Sequence, residues 1–144
     1  MGEYVNTYAS LVKFLQGFIT ENAPGGEFLD FDQHADIDKL PAKDVIGLRG
    51  FSVDVSSATM GVQVLFCLTT YDDKSGFRHR ALTDKLFTAL LPTKNIPYVD
   101  ADTGAVLGYL VANDETSVLP ITKASTRVFQ QITVNLLADR KPRL

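Results

Sequence analysis

Cysteine is almost absent from this chain: Cys67 is the only one in 144 residues. An intrachain disulfide is therefore impossible, and a cysteine-based zinc site is excluded. Cys67 stands inside an apolar stretch with no basic neighbour in sequence, so it reads as a small buried hydrophobe and not as a nucleophile. Long apolar runs are missing too, and none approaches the roughly 20 residues of a membrane span. The first residues lack the cationic start and continuous apolar core of a signal peptide, so folding in a cytoplasm is expected. Nor is there a cationic excess. A net charge of −3 argues against a phosphate-backbone binder, which would carry a basic face. Histidine occurs twice. A phosphate-cradling G-x-x-x-x-G-K-S/T loop, a G-x-S-x-G elbow and an H-E-x-x-H pair are all lacking. The expectation is a protein that is not an enzyme and holds no cofactor or metal.

What is present is the material of one soluble globular domain spanning 1–144, with 45% apolar and 22% charged residues. Phe51 to Leu91 organises it. Phe51–Ser56 reads as a strand with Phe51, Val53 and Val55 on one face. Ser57 to Gly61 supplies a turn. In Val62–Tyr71 an apolar row of Val62, Val64, Phe66 and Leu68 alternates with Gln63, Leu65, Cys67 and Thr69, the period of a strand. A helix over Phe77–Leu91 follows, capped by Ser75 or Asp73 and stopped by Pro92, with a stripe at Phe77, Ala81, Leu82, Leu86 and Leu90. Its first turn holds Arg78, His79 and Arg80, where the helix dipole disfavours cations. Such a misfit marks either an interaction surface or a solvated turn. His79 has no Ser or Asp constellation around it in sequence.

Before this block, Tyr4, Tyr8, Leu11, Val12, Leu15, Phe18 and Ile19 define a helix from about Glu3 to Thr20, ended by Asn22 and the Ala-Pro-Gly-Gly run. Residues 28–44 form an irregular acidic loop, with Asp30, Asp32, Asp36 and Asp38 around His34. Acids so arranged could hold a hard cation, and the histidine could complete a transition-metal site. The spacing matches no named loop, and Phe28, Leu29, Phe31 and Ile37 interrupt it. A loop pinned by its hydrophobic residues is the reading adopted. Val45–Leu48 is a short β-like run leading towards the first strand. After the second helix, Ile96–Val99 and Val106–Val111 read as a hairpin. The Asp100-Ala-Asp-Thr-Gly104 turn fails the calcium-loop pattern, because its glycine comes one place early and no acid stands at the twelfth position. Thr126–Leu137 is a long strand, and Gln130 in its apolar row suggests that this end reaches the edge of the core. Residues 139–144 form a short basic tail. The sum is α+β: a largely antiparallel sheet packed by two helices, in the order α-β-β-α-β-β.

An N-terminal helix comes first. Then Val62-Gln-Val-Leu-Phe-Cys-Leu-Thr-Thr-Tyr71 runs into Asp72-Asp and a helix with the Leu82, Leu86, Leu90 row. The last long strand is Arg127-Val-Phe-Gln-Gln-Ile-Thr-Val-Asn-Leu-Leu137. This order and texture resemble the tail-terminator (tail-completion, neck) proteins of tailed bacteriophages, with the Val106–Val111 strand as a departure. The resemblance implies a structural virion protein, made in the host cytoplasm and located at the tail neck. It would form a ring, expected to be hexameric, on the head-proximal end of the tail tube. There it would terminate tube polymerisation and join the tail to the head connector. The implied partners are further copies of itself, the tail-tube protein and the head–tail connector or stopper, with a sheath as a further candidate. DNA would pass through the lumen without specific binding, and no membrane is involved. Candidate interface positions come from the 28–40 loop (Phe31, Asp32, His34), from Arg78 and Arg80, and from the Asn113–Ser117 loop (Asn113, Asp114). No family motif marks any of them. The alternatives are another phage neck or head–tail adaptor protein, a non-viral α+β interaction module, and a small ligand-binding domain or enzyme.

Overall fold

The computed structural model describes residues 2–33, 39–56, 59–90, 94–112, 116–124 and 126–139. In chain order these form α1 (Glu3–Asn22), β1 (Glu27–Asp30), β2 (Val45–Val55), β3 (Thr59–Tyr71), α2 (Phe77–Ala89), β4 (Asn95–Val99), β5 (Val106–Ala112), β6 (Ser117–Val118), β7 (Thr122–Ala124) and β8 (Arg127–Asp139). The fold is α+β, with two helices and one eight-stranded sheet in the order β1-β2-β3-β8-β5-β4; β6 and β7 also pair with β8. The order expected from sequence was too short, and the sheet is mixed because β1 runs parallel to β2. That order counts four strands where eight form, and three of the missing ones, β1, β6 and β7, have four, two and three residues, too few to show a period of two.

The axis of the sheet is the β3–β8 pair, in register from Thr59 opposite Asp139 to Tyr71 opposite Arg127. Alternation along it sends Met60, Val62, Val64, Phe66 and Leu68 of β3 and Ile132, Val134 and Leu136 of β8 to one face. There they pack with Leu11, Leu15, Phe18 and Ile19 of α1 and Leu82 and Leu86 of α2 in the main core. Each fully buried side chain of this size contributes about 2 kcal/mol of transfer free energy. Neither described helix lies on the opposite face. One end of it is covered by a small cluster of Phe31, Val45 and Cys67, with Leu29, Leu40 and Phe129 packed around it.

β2 joins the two extended runs, Val45–Leu48 and Phe51–Ser56, that the sequence separated. Gly50, at φ +62°, allows a bulge between Arg49 and Ser52, so that one strand passes through both. Earlier in β2, Gly47 lies close against the backbone of its β1 partner Leu29, whose carbonyl oxygen would stand 1.7 Å from an added Cβ. The β4–β5 hairpin forms as read. Its Asp100 Oδ1 accepts the N–H groups of Asp102 and Thr103, and Gly104 turns the chain at φ +74°.

The sheet curls until β4 meets α1. Ser10 Oγ accepts the Val99 N–H at 2.8 Å and Asn6 Oδ1 accepts the Ala101 N–H at 2.9 Å. The polar residues Asn6 and Ser10 of α1 are consequently buried, whereas Tyr4, placed on the apolar stripe from sequence, is 59% exposed.

Candidate functional site

α2 is rotated relative to its expected stripe. Phe77 is 76% exposed, and the buried positions of the helix are His79, Leu82, Thr83 and Leu86. A buried polar cluster explains the rotation. Gln130 is not at the edge of the core: it lies inside it, and its Nε2 donates to the Leu119 carbonyl at 3.0 Å. That bond turns Oε1 towards α2, 3.0 Å from His79 Nε2 and 3.1 Å from Thr83 Oγ1. His79 Nε2 therefore carries the ring proton and donates it. Nδ1 is buried with no hydrogen-bond partner among the described residues. Burial pushes the His79 pKa below its ordinary value, against the pull of the Gln130 bond.

Asp73 caps α2 from outside the helix, accepting the His79 backbone N–H at 2.8 Å, while Ser75 Oγ accepts the Phe77 N–H at 3.3 Å. Burial alone would raise the Asp73 carboxyl. The His79 N–H, the Arg78 charge and the Thr70 hydroxyl outweigh it and hold the pKa below the usual range. Asp73 thus meets the backbone of His79 and not its ring, so the two do not form an acid–base dyad.

Arg78 makes a bidentate pair with Asp44, both N–O distances 3.0 Å, and also donates to the Tyr71 carbonyl at 2.5 Å. This bonding to Asp44 raises its pKa. The guanidinium ties the start of α2 to the end of β3. Arg80 is exposed and donates to the Gly76 carbonyl at 3.4 Å. Phe31 is 6% exposed and belongs to the small cluster, so its ring is not offered at the surface. Asp32 is exposed, and its carboxylate accepts the Gly50 N–H at 3.2 Å, which secures the bulge. Asp30 takes the Tyr8 hydroxyl at 2.8 Å; burial and this bond push the Tyr8 pKa up to about 12. His34, Asp36, Asp38, Asn113 and Asp114 lie outside the described residues, as does the tail beyond Asp139. Among the described residues no three His, Cys, Asp or Glu side chains come together as a metal site.

Arg127, which the sequence did not single out, is 6% exposed. It donates to the carbonyls of Lys43 and Pro41 and to Thr69 Oγ1, and lies 5.2 Å from the centre of the Tyr71 ring. It fastens the 41–43 segment to the sheet. Cys67 is fully buried, and burial pushes its pKa up to about 12, so the thiol is inert.

Large exposed apolar side chains gather in separate places. On the helix-free face, alternation puts Leu107, Tyr109 and Val111 of β5 opposite in direction to the buried Leu110 and Ala112. Val111 is paired with Leu137 of β8, and Leu107, Tyr109 and Leu137 are 54%, 53% and 47% exposed. Gln63, Thr133 and Asn135, all uncharged, lie on the same side of the sheet. On the helical side, Phe77 protrudes at the N-terminus of α2. A shallow groove of about 350 Å³ runs between α1, the end of α2 and β4, lined by Phe14, Gly17, Phe18, Ala89 and Pro97, with Ser10, Lys13, Glu21 and Asn22 around it. No described helix is long and apolar enough to cross a membrane. No protein-family model matches the chain, and no curated protein matches it.

Proposed function

We propose that the chain is a structural ring subunit of the tail-terminator kind. It would assemble, as a hexamer, on the head-proximal end of a phage tail tube, where it ends tube growth and receives the head connector. The observation that carries the reading is the helix-free sheet face. Leu107, Tyr109, Val111 and Leu137 form an apolar strip there beside uncharged Gln63, Thr133 and Asn135. Apolar area with an aromatic centre and few charges is the composition of a protein–protein contact. A closed ring also needs two unlike patches on each subunit, and Phe77 with the α1–α2 groove lies on the helical side, away from this strip. The order of elements from α1 to β8 remains the basis of the resemblance to tail terminators.

The test is native mass over a concentration series, with negative-stain images of any large species, with and without added tail-tube protein. The reading expects six-subunit rings with a central hole, free or on tube ends, and tubes that no longer elongate. A strict dimer that leaves tube growth unchanged would overturn it.

A further inference from the structure

His79 is the one buried side chain in the opening turn of α2. Phe77, Arg78, Arg80 and Ala81 around it are exposed, and the helix joins the main core only from Leu82 onward. The turn is fastened to the rest of the domain by polar groups. The His79 ring donates to Gln130 of β8 at 3.0 Å, the His79 backbone N–H meets Asp73 at 2.8 Å, and the Arg78 guanidinium meets Asp44 at 3.0 Å. Of these groups, the ring is the one that reaches the interior. It is also the one whose charge changes near neutral pH.

A charged ring is poorly accommodated there. Nε2–H is used by Gln130 Oε1, and Nδ1 is buried without a hydrogen-bond partner. Protonation puts a second N–H at Nδ1 with no acceptor opposite it, so a buried charge is joined by an unsatisfied donor. The charged groups around the ring do not repair this. Asp73 attracts the imidazolium, but its Oδ2 already accepts the His79 backbone N–H and the Thr70 hydroxyl. Asp44 attracts it too, and is held by Arg78. Arg80 repels it, as does the positive end of the α2 dipole. β8 contributes only the uncharged Gln130, which Thr83 also meets. Burial outweighs the attractions, and the ring stays neutral to a lower pH than usual. We infer that the opening turn of α2 is an acid-operated latch: charging His79 frees residues 77–81 from the sheet, while Leu82 and Leu86 keep the rest of the helix in the core. The other side chains of the turn already face solvent, so it can open without repacking the core. What the latch displaces is the surface that carries Phe77, Arg78 and Arg80. The inference stands apart from the ring reading, because it concerns a single subunit.

The experiment is amide hydrogen exchange followed by NMR on the whole protein at about pH 7.5 and pH 5, each in a series of urea concentrations below the unfolding transition. The reporters are the Ala81, Leu82 and Thr83 amides, which point to the carbonyls of residues 77–79. The Val64 and Phe66 amides of β3 are the reference for opening of the whole domain. At pH 5 the three α2 amides should exchange faster than the β3 pair and at rates that do not change with urea, as a local opening requires. Their protection factors should fall at least about tenfold from pH 7.5 to 5, since a histidine in the opened turn titrates near about 6.5. His79→Gln, which cannot take up the charge, should abolish that fall. If the α2 amides share the rate and urea slope of the β3 pair at pH 5, the latch is overturned. A fall of the same size in His79→Gln would overturn it equally, and should that variant not fold, the comparison within the unaltered protein decides alone.

Discussion

Gln130 holds β8, α2 and the segment at Leu119 together through one side-chain amide. Replacing it with leucine removes the partner of the buried His79 Nε2 and the donor to the Leu119 carbonyl. A loss of about 2 kcal/mol is expected from buried groups left unpaired, read as a lower urea midpoint with unchanged slope. His79 gives the molecule a pH dependence whose sign follows from its lowered folded pKa. The neutral ring's contribution is complete above the ordinary value of 6.5 and is lost as pH falls through the lower folded value. Urea midpoints should therefore drop as pH falls below about 6.5, and His79→Gln should flatten that slope. Gly47→Ala would put a methyl group against the Leu29 backbone. It should cost about 3 kcal/mol or prevent folding, as tested by thermal melts of the purified variant. Such residues are poorly legible in a sequence. Gln130 and His79 are 51 positions apart, so each alone resembles a surface residue. Nor could the sequence show, of the candidate interface positions, that Phe31 is buried and Arg78 is paired with Asp44.

At the level of elements, periodicity was informative wherever one kind of contact covered a whole face. The alternating rows of β3 and β8 and the Leu82–Leu86 row of α2 could be read because, Gln130 apart, apolar side chains fill those positions. The faces of both helices were misplaced where polar side chains are buried. Ser10 and Asn6 are inside because they receive the backbone N–H groups of Val99 at the end of β4 and of Ala101 in the turn after it, and His79 and Thr83 because Gln130 meets them. No hydrophobic period can announce such positions. Ser10→Ala should leave the Val99 N–H without its acceptor and lower stability by about 1–2 kcal/mol, measurable as a shift in the urea midpoint. The bulge in β2 shows the reverse case: Val45–Leu48 and Phe51–Ser56 read as separate runs, but Gly47 admits the close backbone of Leu29 in β1 and Gly50 turns an uninterrupted strand.

For the whole molecule, the exposed apolar strip gives a direct test of assembly apart from folding. Tyr109→Asp together with Leu137→Asp alters two half-exposed side chains on the helix-free face. The far-UV spectrum should be retained while rings are lost from the native-mass profile; rings that persist would remove that face from the assembly. The α+β class was legible in the sequence, but the mixed sheet and its curl were not, since both depend on pairings between distant segments. One of those pairings also governs how the molecule comes into being. Ser10 and Val99 are separated by 89 positions, and β8 joins the β1–β3 side of the sheet to the β4–β5 hairpin. α1 therefore cannot complete its polar contacts until most of the chain has been synthesised. Closing so large a loop before the contact is made gives slow folding with a high contact order. The Val99 amide should exchange with solvent only when the whole domain unfolds. A subunit would then become competent to join its neighbours in a single late step, with no half-built form presenting the same surfaces.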